Sequence, residues 1–360
     1  MTENTFALWT FGDAHVGTDL KRGRHSLAES LRASERGGDE GGPLFAWDIA
    51  IDIGDMSGGQ AVPDDEEGEE VVRQLGAMED HRREDIYHIC GNHDRSGLDE
   101  PQAWWWRKWV DPTGEHSEFS GVDAAKRPYP LEGTWERYAF RAGNILFLLM
   151  SDINEPSQTI GRGDLGGNPA GVVAAETFAW WREMVAAHPE HIIVSAHHYM
   201  LKETTVASGD WEGMRKDEEG NWKSHYHGYK PQGAPIGASY LYFVGSQPDS
   251  GVFEDYLAAN PGSVDLWLGG HTHTHPNDTF GGKSHIETKW GGTHFINVAC
   301  LSRHHGPANV PKSRLLTFAE GSDEVRVGCY MHTGEFLPQG WYAAAERVLK
   351  LSRPFSWTGP

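Results

Sequence analysis

The sequence predicts a layered α/β protein. Seven short apolar runs with β-branched or aromatic content alternate with helical stretches, and polar motifs stand directly at the ends of five of those runs. Alternation of this kind gives sheets flanked by helices, with functional groups on the loops that follow the strands.

The predicted strands are Phe6 to Phe11, Trp47 to Ile53, Ile86 to Cys90, Ile145 to Met150, Ile192 to Ala196, Val264 to Leu268 and Thr293 to Ala299. The predicted helices are Ser26 to Arg36, Glu66 to Asp80, Gly171 to Ala187 and Val252 to Ala259. Three stretches read as insertions. Glu35 to Pro43 and Val62 to Glu70 are Gly-rich or acidic and read as solvated loops. Tyr199 to Ser250 is rich in Gly, Pro and aromatic residues and has no clear period, which suits a cap insertion. Within it Trp211, Trp222, His225, Tyr226, His227 and Tyr229 can close over a site or pack on one another. With no internal repeat and no interdomain linker, residues 1–360 read as a single domain.

Composition narrows the function. Hydrophobic residues make up 38% of the chain, and no apolar run approaches the roughly 20 residues that a membrane-spanning helix needs. A soluble protein is expected. Met1 to Asp13 lacks a basic flank followed by an apolar stretch and a small-residue cleavage site, so no cleaved leader is expected. Cys90, Cys300 and Cys329 lie far apart, two of them in strand-like runs, and read as reduced thiols in a cytoplasm. A formal net charge of -21 weighs against nucleic acid as a partner, since such binding relies on basic surface. A phosphate-bearing ligand must be attracted locally. That is compatible with an acidic exterior, because exposed charges are screened beyond about 8 Å at physiological salt.

Five motifs carry the chemistry. Gly12-Asp13-Ala14-His15 follows the first strand, and alternation places Asp13 and His15 on one side, where both can reach one ion. Ile53-Gly54-Asp55 ends another apolar run. A carboxylate buried there costs several kcal/mol unless paired or metal-bound, and Gly54 leaves room for close backbone approach. Gly91-Asn92-His93-Asp94 offers a neutral oxygen ligand, an imidazole that can act as acid or base, and a carboxylate able to orient it. In Ala196-His197-His198-Tyr199 consecutive histidines point to opposite sides. His197, which directly ends the strand, is taken as the inward one, with His198 as the alternative. Gly269-Gly270-His271-Thr272-His273 spaces two imidazoles for one side of an extended loop, and imidazole suits zinc, iron and copper. His275 continues that spacing and reads as an exposed loop residue.

Other features read as packing or as exposed loop. Trp104 to Trp109 suits an amphipathic helix packed on a sheet, and His88 suits a core histidine with a satisfied hydrogen bond. Arg303, His304 and His305 follow a strand and read as exposed loop residues within reach of a substrate phosphate.

Taken in order, the five motifs resemble the signature of the calcineurin-like metallophosphoesterases: Asp-x-His, Gly-Asp, Gly-Asn-His-(Asp/Glu), His and Gly-His-x-His. The matching framework runs from Phe6 to about Val327. The resemblance implies a four-layer sandwich of two mixed β-sheets flanked by helices, and two divalent or mixed-valence metal ions drawn from Mn, Fe, Zn or Co. One ion would be held by Asp13, His15, Asp55 and His273, and the other by Asp55, Asn92, His197 and His271, with Asp55 bridging. His93 would be the non-ligand catalytic histidine over the leaving group, with Asp94 beside it. The implied activity is hydrolysis of a small phosphate ester, with a phosphodiester preferred over a phosphomonoester and a nuclease third. A non-catalytic scaffold of the same fold is the alternative outside enzymes, and the intact ligand set argues against it. One departure stands out. Asp55-Met56-Ser57-Gly58 lacks the Asp often found three residues after the bridging Asp, and lacks the Tyr ligand of the purple acid phosphatases at that place. A coloured tyrosinate-iron site is therefore not expected.

Overall fold

The structure is a computed structural model that describes residues 4–59, 61–97, 99–153, 172–209, 214–216, 222–224, 250–279, 282–302 and 310–358. In chain order its strands are β1 (Thr5–Phe11), β2 (Ile49–Asp52), β3 (Ile86–His88), β4 (Glu132–Thr134), β5 (Arg137–Ala142), β6 (Ile145–Met150), β7 (Ile192–His197), β8 (Met214–Lys216), β9 (Trp222–Ser224), β10 (Leu266–Gly269), β11 (Ile286–Lys289), β12 (Thr293–Asn297), β13 (Lys312–Ala319), β14 (Glu324–Met331), β15 (Gly340–Trp341) and β16 (Arg347–Lys350). The helices are α1 (Val16–Lys21), α2 (Ser26–Arg36), α3 (Asp65–Leu75), α4 (Trp104–Trp109), α5 (Ser117–Ser120), α6 (Ala175–Ala187) and α7 (Gly251–Ala259).

Two mixed sheets result. The first runs β15-β14-β13-β1-β2-β3, with β16 also on β14. Within it β1, β2 and β3 are parallel, and β13 and β14 are antiparallel to their neighbours. The second runs β11-β12-β10-β7-β6-β5-β4, with β12, β10, β7 and β6 parallel. Strands buried on both faces explain the continuous apolar runs in the sequence. In β6 the residues Ile145, Phe147 and Leu149 enter the core between the sheets, while Leu146, Leu148 and Met150 face the opposite side, where they pack with Trp181 of α6 and Phe253 and Leu257 of α7. On the outer face of the first sheet, Trp9, Phe11 and Ala50 meet Leu27, Leu31, Val71 and Leu75 of α2 and α3. Each such side chain contributes roughly 1.5–3 kcal/mol when fully buried. The order helices, sheet, sheet, helices is the expected four-layer sandwich.

Some local expectations are corrected. Val62 to Glu70 is no loop over most of its length. The Asp64 side chain accepts from the Glu67 backbone N–H at 2.9 Å and caps α3, and Asp65, Glu66 and Glu67 fill the first turn, where acids suit the helix dipole. Glu35 does not open a solvated loop. It is buried at the end of α2, and its carboxylate accepts from the backbone N–H groups of Glu79, Asp80 and His81. Tyr199, Met200 and Leu201, the first residues of the expected cap, lie in the core under α6 and α7. Most of that stretch, with Trp211, His225, Tyr226, His227 and Tyr229, lies outside the described residues, as do Arg303, His304 and His305. Trp104 to Trp109 is α4, with Trp105, Trp106 and Trp109 buried as packing residues. His88 is a core histidine, its Nδ1 3.0 Å from Asp52 Oδ2.

Candidate metal centre

All five motifs converge at one end of the sandwich. Strands β1, β2 and β3 of one sheet and β7 and β10 of the other end there, so their outgoing loops meet across the gap between the sheets. Backbone bonds tie the loops together: Asp13 N–H donates to Gly54 O at 2.8 Å, His15 N–H to Asp55 O at 3.0 Å, and Gly270 N–H to His198 O at 2.7 Å.

Glycines make that approach possible. A Cβ on Gly91 would stand 2.3 Å from both the backbone nitrogen and Oδ1 of Asp55, and one on Gly270 would stand 2.6 Å from Asp13 Oδ2. Gly54, with φ +94°, passes within a Cβ's reach of the Gly91 backbone. Four residues other than glycine at the centre, Asp13, His15, Asp55 and His271, also adopt left-handed backbone conformations, with φ between 44° and 66°. Each costs on the order of 1–3 kcal/mol and persists only where the surroundings fix it, which is common at functional sites.

Ligating atoms gather around Asp55 Oδ2. On one side Asp13, His15 and His273 form a buried group, with His273 Nε2 2.8 Å from Asp13 Oδ1 and 3.2 Å from His15 Nε2. His15 Nε2 is 3.8 Å from Asp55 Oδ2. On the other side His198 Nε2 lies 3.2 Å from Asp55 Oδ2 and 3.1 Å from Asn92 Oδ1, and His271 Nδ1 lies 3.0 Å from Asn92 Oδ1. Donors about 2.0–2.2 Å from a cation stand roughly 3 Å from one another, and these spacings match. The donor set of carboxylates, imidazoles and one amide oxygen suits borderline divalent ions. Both halves share Asp55, whose Oδ1 is occupied by the His93 backbone N–H at 2.7 Å, leaving Oδ2 to face the cluster. Asp13, His15, Asp55, Asn92, His271 and His273 are thus brought together.

His197 is not. The sequence reading turns it inward, but His198 takes that place. Ile192, Val194 and Ala196 point into the core between the sheets, so alternation sends His197 to the helix side and returns His198 to the gap. His197 Nδ1 accepts from the Tyr199 backbone N–H at 3.0 Å, and burial together with the neighbouring His198 pushes its pKa down to about 3. For His198 burial acts in the same downward sense, but the Asp55 and Asp13 carboxylates outweigh it and raise the imidazole to about 10.

The segment 53–59 organises the imidazoles. His198 Nδ1 is 2.7 Å from Ile53 O, His15 Nδ1 2.9 Å from Ser57 O, and His93 Nδ1 2.7 Å from Gly59 O. A carbonyl can only accept, so each Nδ1 carries the proton and each Nε2 is turned toward the cluster. Asp94, expected to orient His93, does something else. Its carboxylate accepts from Asp55 N–H at 2.9 Å, Ser57 N–H at 2.8 Å and Gly91 N–H at 2.9 Å, so it holds the segment that orients three histidines. Burial and the nearby Asp55 carboxylate push Asp94 up to about 7. His93 is buried beside the cluster, with Nε2 4.0 Å from Asp55 Oδ2, and its ring nitrogen groups with His15 and Asp55. His275 is set apart: its ring packs edge-on against Phe336.

Sequence reasoning missed the carbonyls of Ile53, Ser57 and Gly59, since backbone acceptors leave no side-chain signature. For His198 a signal existed in the alternation of Ile192, Val194 and Ala196.

Two mixed sheets flanked by helices thus bring together the five motifs whose order resembles the calcineurin-like metallophosphoesterase signature. No family model and no curated protein matches the chain. Among solved structures it is similar to a predicted phosphoesterase from Streptococcus pneumoniae TIGR4, with 10% identity, 96% of this chain and 98% of that chain covered, and a TM-score of 0.35. It is also similar to the protein TT1561 of Thermus thermophilus, with 11% identity, 87% and 94% covered, and a TM-score of 0.40. A third is the Thermus thermophilus sulfate thiohydrolase SoxB in complex with glycerol, with 11% identity, 97% of this chain but 58% of that chain covered, and a TM-score of 0.36.

Proposed function

We propose that the chain hydrolyses phosphate esters with two metal ions, and that a small phosphodiester is its substrate. The observation that carries this reading is the sharing of one carboxylate oxygen, Asp55 Oδ2, between two half-sites of histidine and oxygen donors. One ion would be held by Asp13, His15, Asp55 and His273, and the other by Asp55, Asn92, His198 and His271. Mn, Fe, Zn and Co all suit the donors. Bound there, such ions supply Lewis acidity, lowering the pKa of a water toward neutrality and offsetting charge on the phosphoryl group.

The residues around them do the rest. His93, with Nδ1 fixed on Gly59 O, presents Nε2 toward the cluster, where a protonated ring can pass its proton to the departing oxygen. Asp94 acts on that chemistry through the 53–59 segment, as a positioning residue. Cys90, Cys300 and Cys329 are buried and form no disulfide among the described residues, which supports a reducing compartment such as the cytoplasm. Among the described residues no helix is long and apolar enough to cross a membrane.

The test is a comparison of bis-p-nitrophenyl phosphate with p-nitrophenyl phosphate on protein loaded with manganese, iron, zinc or cobalt. Faster turnover of the diester is expected. Preference for the monoester would move the substrate to phosphomonoesters, and inactivity with every metal would overturn the hydrolase reading.

A further inference from the structure

Strand β13 carries two cations on its inward face, Lys312 and Arg314, and both are essentially inaccessible, at 0% and 1% exposure. Buried charges are ordinarily paired, because desolvating an isolated one is expensive. Neither has a carboxylate at ion-pair distance among the described residues. Lys312 Nζ donates to Thr274 O at 2.9 Å. Arg314 offers five donors, of which Nη1 reaches Ala345 O at 3.1 Å and Nε finds no acceptor. The buried Arg127 guanidinium is held more fully: its Nη1 and Nη2 donate to the carbonyls of Glu84, Ile86 and Pro112, although its Nε, like that of Arg314, meets no acceptor.

Arg314 lines a cavity of about 200 Å³ between residues 276–279 and 284–286 on one side and the turn that precedes β16 on the other. Arg347, His285, Asn277, Thr279 and Asp278 line it as well, and none of the residues of the metal cluster does. Arg347 is exposed, and among the described residues its side chain hydrogen-bonds only the carbonyls of Ala344 and Glu346. The single acid, Asp278, is turned onto its own loop, with Oδ2 accepting from the His275 N–H at 2.8 Å. Asn277 Oδ1 is held by the Tyr342 hydroxyl at 2.6 Å, so what its amide has left to offer a ligand is N–H donors. Two guanidinium groups therefore line a cavity whose one carboxylate is tied to its own loop.

From this imbalance we infer that the cavity is an anion-binding site separate from the metal centre, which takes the oxyanion of a small phosphate or carboxylate compound on Arg314 and Arg347. Planar guanidinium forks suit such oxyanions. The inference is independent of the proposed hydrolysis.

Equilibrium dialysis with radiolabelled inorganic phosphate tests it on the metal-loaded full chain. Asp55→Asn removes the centre's own claim on phosphate and should leave about one bound phosphate per chain. In that background Arg314→Met and Arg347→Met should each weaken binding by about tenfold or more, the loss expected for one charged hydrogen-bond donor group. Because Arg314→Met removes a buried side chain, circular dichroism checks its fold, and the exposed Arg347→Met decides the question if it unfolds. Competition by acetate would assign a carboxylate ligand, and its failure to compete would assign a phosphate. Absence of bound phosphate in Asp55→Asn, or an unchanged dissociation constant in Arg347→Met, overturns the inference.

Discussion

Replacing His198 and His197 by alanine, one at a time, separates ligand from neighbour. His198 Nε2 stands 3.2 Å from Asp55 Oδ2, whereas His197 turns to the helix side and accepts from the Tyr199 N–H. A four-ligand zinc site is worth roughly 10–16 kcal/mol, so one ligand accounts for about 3 kcal/mol, or about two orders of magnitude in affinity. His198→Ala should therefore retain about one ion per chain after dialysis against micromolar metal. His197→Ala should retain both ions and lose stability instead. It gives up one hydrogen bond, worth about 1 kcal/mol, and leaves a buried cavity, so a deficit of roughly 2–4 kcal/mol is expected. Elemental analysis reads the first effect and urea denaturation the second. Loss of an ion from His197→Ala, with both retained in His198→Ala, would refute the placement of these side chains.

Four further outcomes follow from named contacts. His93→Ala should keep both ions and lose about 10²- to 10⁴-fold in turnover of an alkyl phosphate ester but far less on a p-nitrophenyl ester, whose leaving group needs no proton; equal losses would remove the general-acid role. Gly91→Ala, whose Cβ would collide with Asp55 at 2.3 Å, should lower metal occupancy and the melting temperature together, and normal occupancy by elemental analysis would count against the close packing described. Glu35 is held below the usual carboxylate range: burial opposes this, but hydrogen bonds from the Glu79 backbone and from His81 and Asp80 prevail. Its contribution is therefore complete above the unfolded value near 4.5 and fades as pH falls through the lower folded value. Glu35→Gln should cost about 1–2 kcal/mol at pH 7 and progressively less in acid, and a pH-independent deficit in urea melts would contradict this. Chelation should lower stability by about 2.7 kcal/mol for each bound ion relative to protein held at metal a hundredfold above its dissociation constant, and an unchanged thermal transition would speak against ions bound to the folded chain.

Much of the fold is legible because buried parallel strands are written as unbroken apolar runs. The run Ile145–Met150 matches β6 to the residue, and Phe6–Phe11 matches β1 within one. Strands β13 and β14 escape because they mix buried apolar residues with charge: Lys312 and Arg314 in one, Glu324 and Arg326 in the other. Helix α3 is read to within one residue at its start, Glu66 against Asp65, but the expected run to Asp80 overshoots its end at Leu75, where Gly76 caps it. At the site, side chains that directly follow strands can be read, and their mutual placement cannot. Choosing between His197 and His198 requires knowing which side of β7 faces the other sheet. The role of Asp94 requires knowing where three backbone N–H groups point.

The centre depends on backbone as much as on side chains, and this bears on how an acidic protein can concentrate positive charge at one point. Burial drives the carboxyls of Asp52 and Asp152 well above their ordinary range and Asp94 to about 7, so these groups carry less negative charge than their number suggests. Asp13 goes the other way. Burial opposes its ionisation, but His273, His198 and the His271 N–H hold it low. Negative charge is thereby retained on a carboxylate that faces the cluster and reduced on groups that sit behind it. The left-handed turns at Asp13, Asp55 and His271 aim those side chains inward, and the carbonyls of Ile53, Ser57 and Gly59 fix which imidazole nitrogens they meet. A net charge of -21 over the whole chain is then no obstacle to an anionic substrate, because screening confines distant charges while the buried donors set the field at contact range.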